Sequence, residues 1–419
     1  MPAALRNRWW VVFGSVLGLL VGNGPIMQFT FGVLLKPIGE EFGWDRGTVS
    51  SAIVVGLCLT GVMTPIIGRL VDRFGIRAVA LPAIVIFSLA TASVALVPAS
   101  PAMFIAIYAL MGLAAAGQTP LIYAKSISAH FDDKRGLALG IAMAGVGLGA
   151  ALVPQFAQAL IGTVGWRGAY VGLGILTFVL AVPAVALFIR GPARTTVVSD
   201  AVVGDLRTTE IPGLTGLEAF RTHKFWFLAV AFFAVAAAAN GTIAHVVPLL
   251  TDRGIPPQTA TTALTAAGFA LIAGRLLAGY LLDRIFAPYV AAVFFLTPLF
   301  GIAVLFVASQ PAMAAIATVL VGIGLGAEVD LIAFLLSRYL GMRSFGEIYG
   351  YLFAIFMVGS GLGPFVMGVS FAKAGSYDLV LVCFGFGLGL ASILMLLLGS
   401  YAYPAKRDTG QKSTLATAH

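Results

Sequence analysis

The sequence predicts an all-α membrane protein: twelve transmembrane helices arranged as two parallel-repeat six-helix bundles. Three observations predict it. Of 419 residues, 60% are hydrophobic and 10% are charged, and the mean hydropathy is +1.01. A water-soluble chain cannot hide that much apolar surface, so lipid is the solvent for most of this one. Twelve apolar stretches reach the roughly 20 residues needed to cross a bilayer. The chain also repeats itself. A shift of 211 positions lays Pro37 on Pro248, Gly43 on Gly254, Gly68 on Gly279, Leu70 on Leu281, Asp72 on Asp283 and Arg73 on Arg284. After a one-residue slip, Gly140 meets Gly350, Gly149 meets Gly359 and Pro154 meets Pro364.

In chain order, spans 9–36, 47–67, 77–97, 101–124, 135–160 and 167–190 make the first bundle, residues 1–190. Residues 191–223 are the one long polar connection, with Arg194, Asp200, Asp205, Arg207, Glu210 and Arg221. They are expected to form a linker, with a short interfacial helix at Glu218–Phe220. Spans 224–250, 259–282, 288–308, 311–338, 345–371 and 376–403 make the second bundle, residues 224–403, and 404–419 are a tail. The fifth span carries Gly140, Gly145, Gly147, Gly149 and Pro154; the eleventh carries Gly359, Gly361, Gly363 and Pro364. Small residues at these spacings let helix backbones approach in a bilayer, and each proline can bend its helix. Their role reads as structural.

The net charge of +8 does not indicate nucleic acid, because the basic residues occupy short loops between apolar spans. Most Lys and Arg lie on the side shared by the termini and the linker. The opposite side holds Lys36, Arg46, Arg167, Arg253 and Lys373. The positive-inside rule then places both termini and the linker in the cytoplasm. Cys58 and Cys383 both fall in apolar spans, which argues against a disulfide framework and a thiolate metal site. Arg6 and Arg8 lead straight into apolar sequence without a cleavage site, so no cleavable signal peptide is expected. No cofactor is implied, and a monomer is expected.

Three charged side chains lie inside apolar spans: Arg275, Glu328 and Asp330. An ionised group at bilayer depth costs several kcal/mol unless it is paired, hydrated or held by a ligand. Arg275 cannot shed its proton. It either docks a substrate carboxylate bidentately or forms a standing ion pair with Glu328 or Asp330, and a pair that opens for substrate satisfies both readings. Glu328 and Asp330 stand about 200° apart around a helix, so they cannot share one cavity. The repeat maps Asp330 onto Thr119 and Phe334 onto Tyr123. If Tyr123 faces the cavity, Asp330 and Phe334 face it too; Asp330 is then favoured over Glu328 as the proton-titrating group. Asn23 and Gln28 interrupt the first span, Gln118 and Tyr123 the fourth, Asn240 and His245 the seventh. Each is either a substrate contact or a satisfied helix–helix hydrogen bond. His245, near the end opposite the termini, gates, titrates or simply caps backbone.

Gly68-Arg69-Leu70-Val71-Asp72-Arg73-Phe74-Gly75-Ile76-Arg77 sits in the connection after the second span. It resembles the signature loop of the major facilitator superfamily, with a degenerate copy at Gly279-Tyr280-Leu281-Leu282-Asp283-Arg284. Gly68 allows close helix approach, while Asp72, Arg73 and Arg77 can latch one tilt of the bundles by hydrogen bonds and ion pairs. The resemblance spans about residues 9–403. Within that superfamily the chain looks like the bacterial branch of monocarboxylate transporters and oxalate/formate antiporters. The residues that carry this are Gln28 in Gln-Phe-Thr-Phe, Lys36-Pro37, Tyr123, Arg275 and Ala327-Glu328. The resemblance implies that Arg275 holds a substrate carboxylate and that the protein resides in a bacterial inner membrane. Two departures refine it. Oxalate carriers have a second basic residue on the eleventh span, where this chain reads Phe353-Ala354-Ile355-Phe356, which favours a monocarboxylate. The animal monocarboxylate carriers place an aspartate one turn before the arginine, where Leu271 stands here, and a first-span lysine where Phe29 stands. Proton coupling would then fall to Asp330 or Glu328. The expected function is proton-coupled carriage of a lactate- or pyruvate-like acid by alternating access. An organic-anion exchanger, a drug efflux carrier and a carrier-derived sensor are the rivals. An enzyme is disfavoured, since no nucleophile–base pair or ligand cluster is visible.

Overall fold

The computed structural model describes residues 7–128, 130–131, 135–189, 213–307 and 310–403. Most of the linker, 191–212, and the tail, 404–419, lie outside the described residues, as does the Asp72 side chain. Backbone polar groups in hydrocarbon must be satisfied within their own segment, so helices dominate. They are α1 (Trp9–Leu20), α2 (Phe31–Phe42), α3 (Arg46–Phe74), α4 (Ile76–Ser93), α5 (Pro101–Ala115), α6 (Pro120–Ser128) and α7 (Arg135–Leu187). The chain continues with α8 (Gly216–Phe220), α9 (His223–Asp252), α10 (Pro257–Leu282), α11 (Ala287–Val307), α12 (Pro311–Tyr339), α13 (Phe345–Ala374) and α14 (Asp378–Leu396).

Eleven continuous stretches among the described residues are long and apolar enough to span a membrane. One of them is two spans. The 53 residues of α7 contain Gly165 at φ 74, ψ 175, a left-handed conformation that only glycine adopts without strain. A straight helix of that length would reach about 80 Å, far more than a bilayer. The chain therefore crosses twelve times. Two other spans are broken. A π-helical turn, Gly24–Phe29, separates α1 from α2; Pro25 has no N–H to offer the preceding turn, and its carbonyl accepts instead from Thr30 Oγ1 at 2.7 Å. A 3-10 turn, Ala116–Gln118, separates α5 from α6, where Thr119 is extended before Pro120, as the proline ring demands. Both breaks fall where polar residues interrupt the apolar pattern.

The repeat is visible in the turns. Gly43 (φ 67) and Gly254 (φ 83) are equivalent left-handed residues following the first and seventh spans, and Pro37 and Pro248 lie inside the helices that precede them. The short helix at the linker's end, α8, begins with a capping box between Thr215 and Glu218, one residue pattern that satisfies two orphan N–H groups.

Each bundle packs on itself, α1 and α4 against α7 in the first and α9, α10, α12 and α13 in the second. The bundles meet along α3 with α13, α7 with α10, and α2 with α9. Glycine sets these approaches. A Cβ on Gly147 would lie 2.3 Å from Ile272, and one on Gly363 would lie 2.0 Å from the Ala237 carbonyl. Large apolar side chains such as Phe13, Leu89, Ile175, Phe269, Phe300 and Phe386 point outward, which is the sign of a lipid-facing surface.

Candidate functional site

The two ends of the bundle interface differ. At the end away from the termini the bundles are bolted together by polar side chains. Asp252, the last residue of α9, takes a bidentate pair from Arg46 (2.7 and 2.9 Å) and a second cation, Lys36 Nζ, at 2.6 Å. Lys36 also donates to Thr251 Oγ1 at 2.6 Å. Arg46 donates further to the Tyr377 hydroxyl and lies 3.6 Å above the Phe371 ring. His245, fully buried, links the same groups: Nε2 is 3.2 Å from Ser50 Oγ and Nδ1 is 3.2 Å from Tyr377 Oη. Backbones close in as well, since a Cβ on Gly368 would lie 2.5 Å from the Arg46 carbonyl. At the other end, ideal Cβ atoms on Gly68, Gly140 and Gly279 meet nothing within 4 Å. The bundles are bolted together at the end away from the termini; at the end that bears the termini these glycines of α3, α7 and α10 stand clear of neighbouring side chains, and we read that end as the parted mouth of a cleft between the bundles.

Arg275 lies in this cleft. Its Nε donates to the Gly326 carbonyl and is 3.2 Å from Asp330 Oδ2, and its Nη1 reaches the Met143 carbonyl, on α7 of the other bundle, at 3.4 Å. The Asp330 side chain keeps 42% of its surface accessible and that of Arg275 14%. The pair is therefore reachable rather than sealed. Gly326 makes it possible: a Cβ there would lie 2.8 Å from the Arg275 amide nitrogen, so α10 and α12 meet closely beside the guanidinium. Glu328, two residues before Asp330, is 1% exposed. Its Oε1 has no hydrogen-bond partner among the described residues.

The remaining sequence-predicted residues lie on other helices and make their own contacts. Gln28 is half-buried in the π-helical turn. Asn240 Nδ2 donates to the Ala236 carbonyl at 3.0 Å and to Ser360 Oγ at 3.2 Å, bridging α9 and α13. Phe334, one turn beyond Asp330, is half-buried with the Arg338 guanidinium 5.2 Å over its ring. Tyr123 is 1% exposed. Its hydroxyl fills the space beside Gly18 on α1, 2.3 Å from where a Cβ there would be, and it makes no hydrogen bond. His245 belongs to the closed end, roughly 15 Å nearer to it than Arg275 by helix rise. In the signature loop, Arg77 donates to the carbonyls of Ile189 and Leu187 within its own bundle, and Arg73 lies over the Phe74 ring. The loop's arginines make these local contacts in a conformation whose near end is parted.

Sequence reasoning missed Asp252 as the receptor of two cations, and Tyr377 as the hub joining Arg46 to His245. Charged residues at the ends of three spans on one side were the available signal. It also missed a row of rings on α13, Phe345, Tyr349, Phe353 and Phe356, though their spacing of four, four and three residues was open to view.

Residues 15–364 match the sequence profile of the Major Facilitator Superfamily. The MFS-type transporter YcxA of Bacillus subtilis is 26% identical, over 94% of this chain and 96% of its own. Monocarboxylate transporter 4 of Rattus norvegicus is 27% identical over 95% and 84%. The oxalate:formate antiporter of Oxalobacter formigenes is 27% identical over 60% and 57%. Among solved structures, a bacterial homolog of the human lysosomal transporter Spinster, in an inward-facing and unoccupied conformation, superposes with a TM-score of 0.66. It shares 19% identity, and the match covers 93% of this chain and 94% of that one.

Proposed function

We propose that this chain, which belongs to the Major Facilitator Superfamily, carries a small organic monocarboxylate of lactate or pyruvate size together with a proton. It is a multi-pass membrane transporter and not an enzyme. The observation that carries the proposal is Arg275: a permanent cation at bilayer depth, in a cleft parted toward one side, whose acidic partner is itself accessible. A carboxylate entering the cleft can take the guanidinium's free edge bidentately and loosen its hold on Asp330. Asp330 and Glu328 are the groups through which a proton would couple. Gln28, Asn240, Phe334 and Tyr123 surround the path. Relatives named as monocarboxylate transporters and as an oxalate:formate antiporter support an organic anion as cargo.

In this reading the termini face the cytoplasm of a bacterial cell and the shut end faces outward, as the Lys/Arg bias predicts. Substrate binding rocks the bundles about the central site, which is the alternating access expected of two parallel repeats. The test is Arg275→Ala in liposomes. Insertion and folding should persist while lactate and pyruvate counterflow disappears; wild-type counterflow in the variant refutes the proposal. The oxalate:formate relative favours one other reading, anion-for-anion exchange. An exchanger would admit labelled substrate only against internal anion and without acidifying the lumen. A drug efflux carrier would instead leave carboxylate flux indifferent to Arg275.

A further inference from the structure

The row of rings on α13 packs against the hydrophobic core on one side and keeps part of its surface accessible. Phe345 and Tyr349 stack with centroids 6.0 Å apart and planes 16° apart; Tyr349 and Phe353 follow at 5.8 Å and 12°, and Phe353 and Phe356 at 5.9 Å and 22°. Positions i, i+4, i+8 and i+11 share one face of a helix. Two other faces of α13 are assigned by close contacts: Met357, Gly361 and Gly368 meet α3, while Gly359 and Gly363 meet α9. The rings occupy the sector between those two, one facing the other bundle and one facing their own. The opposite sector carries the exposed Tyr351 and Val366 and faces lipid. The rings therefore look into the cleft.

Their depth agrees. At about 1.5 Å per residue, Arg275 lies roughly 10 Å from the near end of α10 and Asp330 roughly 14 Å from that of α12, while Phe353 lies roughly 12 Å along α13. The rings pass the ion pair at its own level. A stripe belonging to a bundle core would be closed over. Phe345, Tyr349 and Phe353 are half-buried, packed on one side against the core, and only the deepest, Phe356, is buried, at 5%. Phe334 on α12 adds a ring one turn from Asp330.

We infer that this ladder is the specificity wall of the cleft, and that the preferred cargo is a monocarboxylate bearing an aryl group. Its carboxylate sits on Arg275 and its ring lies against Tyr349 and Phe353. The inference rests on Arg275 as the carboxylate dock and departs from the lactate-sized cargo only in the body it gives the acid. One cation matches one carboxylate, and a wall of flat, accessible apolar rings complements an aryl body rather than a second charge or a lone methyl group. Offset stacking against rings already aligned costs the protein little reorganisation.

The experiment compares lactate, 3-phenyllactate and neutral 3-phenyllactamide as ligands of the purified full-length protein. Half-saturating concentrations are read by thermal shift, and by counterflow in liposomes. For the wild type, 3-phenyllactate should saturate at a concentration roughly tenfold below lactate, as expected for one ring seated against two, and the amide should have no effect. Phe353→Leu, which keeps apolar bulk but removes the ring, should reduce the aryl-to-lactate preference by about threefold or more, and Phe353→Trp should restore it. Equal wild-type affinities for the two acids would overturn the ladder while leaving the carboxylate dock intact. So would a preference unchanged by Phe353→Leu. An amide as effective as its acid would overturn the dock itself. The wild-type comparison needs no variant, so it decides even if Phe353→Leu fails to insert.

Discussion

At the scale of single residues, the two acids of α12 separate by environment. Asp330 is accessible and paired with Arg275 at 3.2 Å, whereas Glu328 is sealed, with an oxygen that has no partner. Two positions on a helix differ by about 200°, so the sequence already forbade both from facing the cleft. The route by which it chose between them met a different structure, because Tyr123 packs closed against Gly18 while Asp330 is open. Under the proposed mechanism Asp330→Asn leaves the Arg275 dock in place but removes a proton acceptor beside it. Exchange of labelled substrate across equal pH should survive in this variant. Accumulation driven by a pH gradient should disappear. Equal loss of both would assign Asp330 a purely structural part.

At the scale of elements, hydropathy located the spans because lipid tolerates no long polar segment, and ends such as Pro257, Pro311 and Gly375 are punctuated by residues that start or stop helices. Less visible was how spans break. The π-helical turn at Gly24–Phe29 follows from Pro25 acting on its own neighbourhood, but nothing local says that the turn will be π. The turn between the fifth and sixth spans depends on a contact no local pattern encodes. After Gly165, Trp166 and Arg167 both donate to Glu41 at the end of α2, with Arg167 Nη2 at 2.7 Å. The bonds from Arg167 first, and Trp166 next, hold the Glu41 carboxyl below its ordinary value. A depressed folded-state value contributes stability above the unfolded one and loses it as pH falls through the folded one. The clamp is well exposed, so it is worth only about 0.5 kcal/mol. Glu41→Gln should lower the melting temperature by roughly 0.5 °C near neutral pH, and the gap from the wild type should close on acidification. A gap that widens with acid would assign the stabilisation to another group.

At the scale of the whole molecule, the internal duplication made the two-bundle architecture readable, but the conformation was not. Which end of the cleft is shut is decided between side chains more than 200 positions apart, such as Arg46 with Asp252. At the shut end, Asp252 neutralises Lys36 and Arg46 across the bundles, and His245 joins Ser50 to Tyr377. At the end that bears the termini, Arg77 of the signature loop donates to the Ile189 and Leu187 carbonyls of its own bundle. The two ends therefore compete, and weakening one shifts the population toward its opening. Asp252→Ala leaves two cations facing no acid. With these side chains partly hydrated, the loss is about 1 kcal/mol, which moves the ratio of open to shut outer ends roughly fivefold. Ser50, fully buried in the shut state, reports it. In a background with Cys58 and Cys383 replaced by serine, Ser50→Cys should react slowly with an impermeant maleimide added outside. Adding Asp252→Ala should speed that labelling roughly fivefold. The same change should slow labelling of a cysteine placed at Gly140, on the parted side, because one cleft cannot be open at both ends. Faster labelling at both positions would mean that the polar cluster merely holds the fold together, and that the bundles do not rock about Arg275.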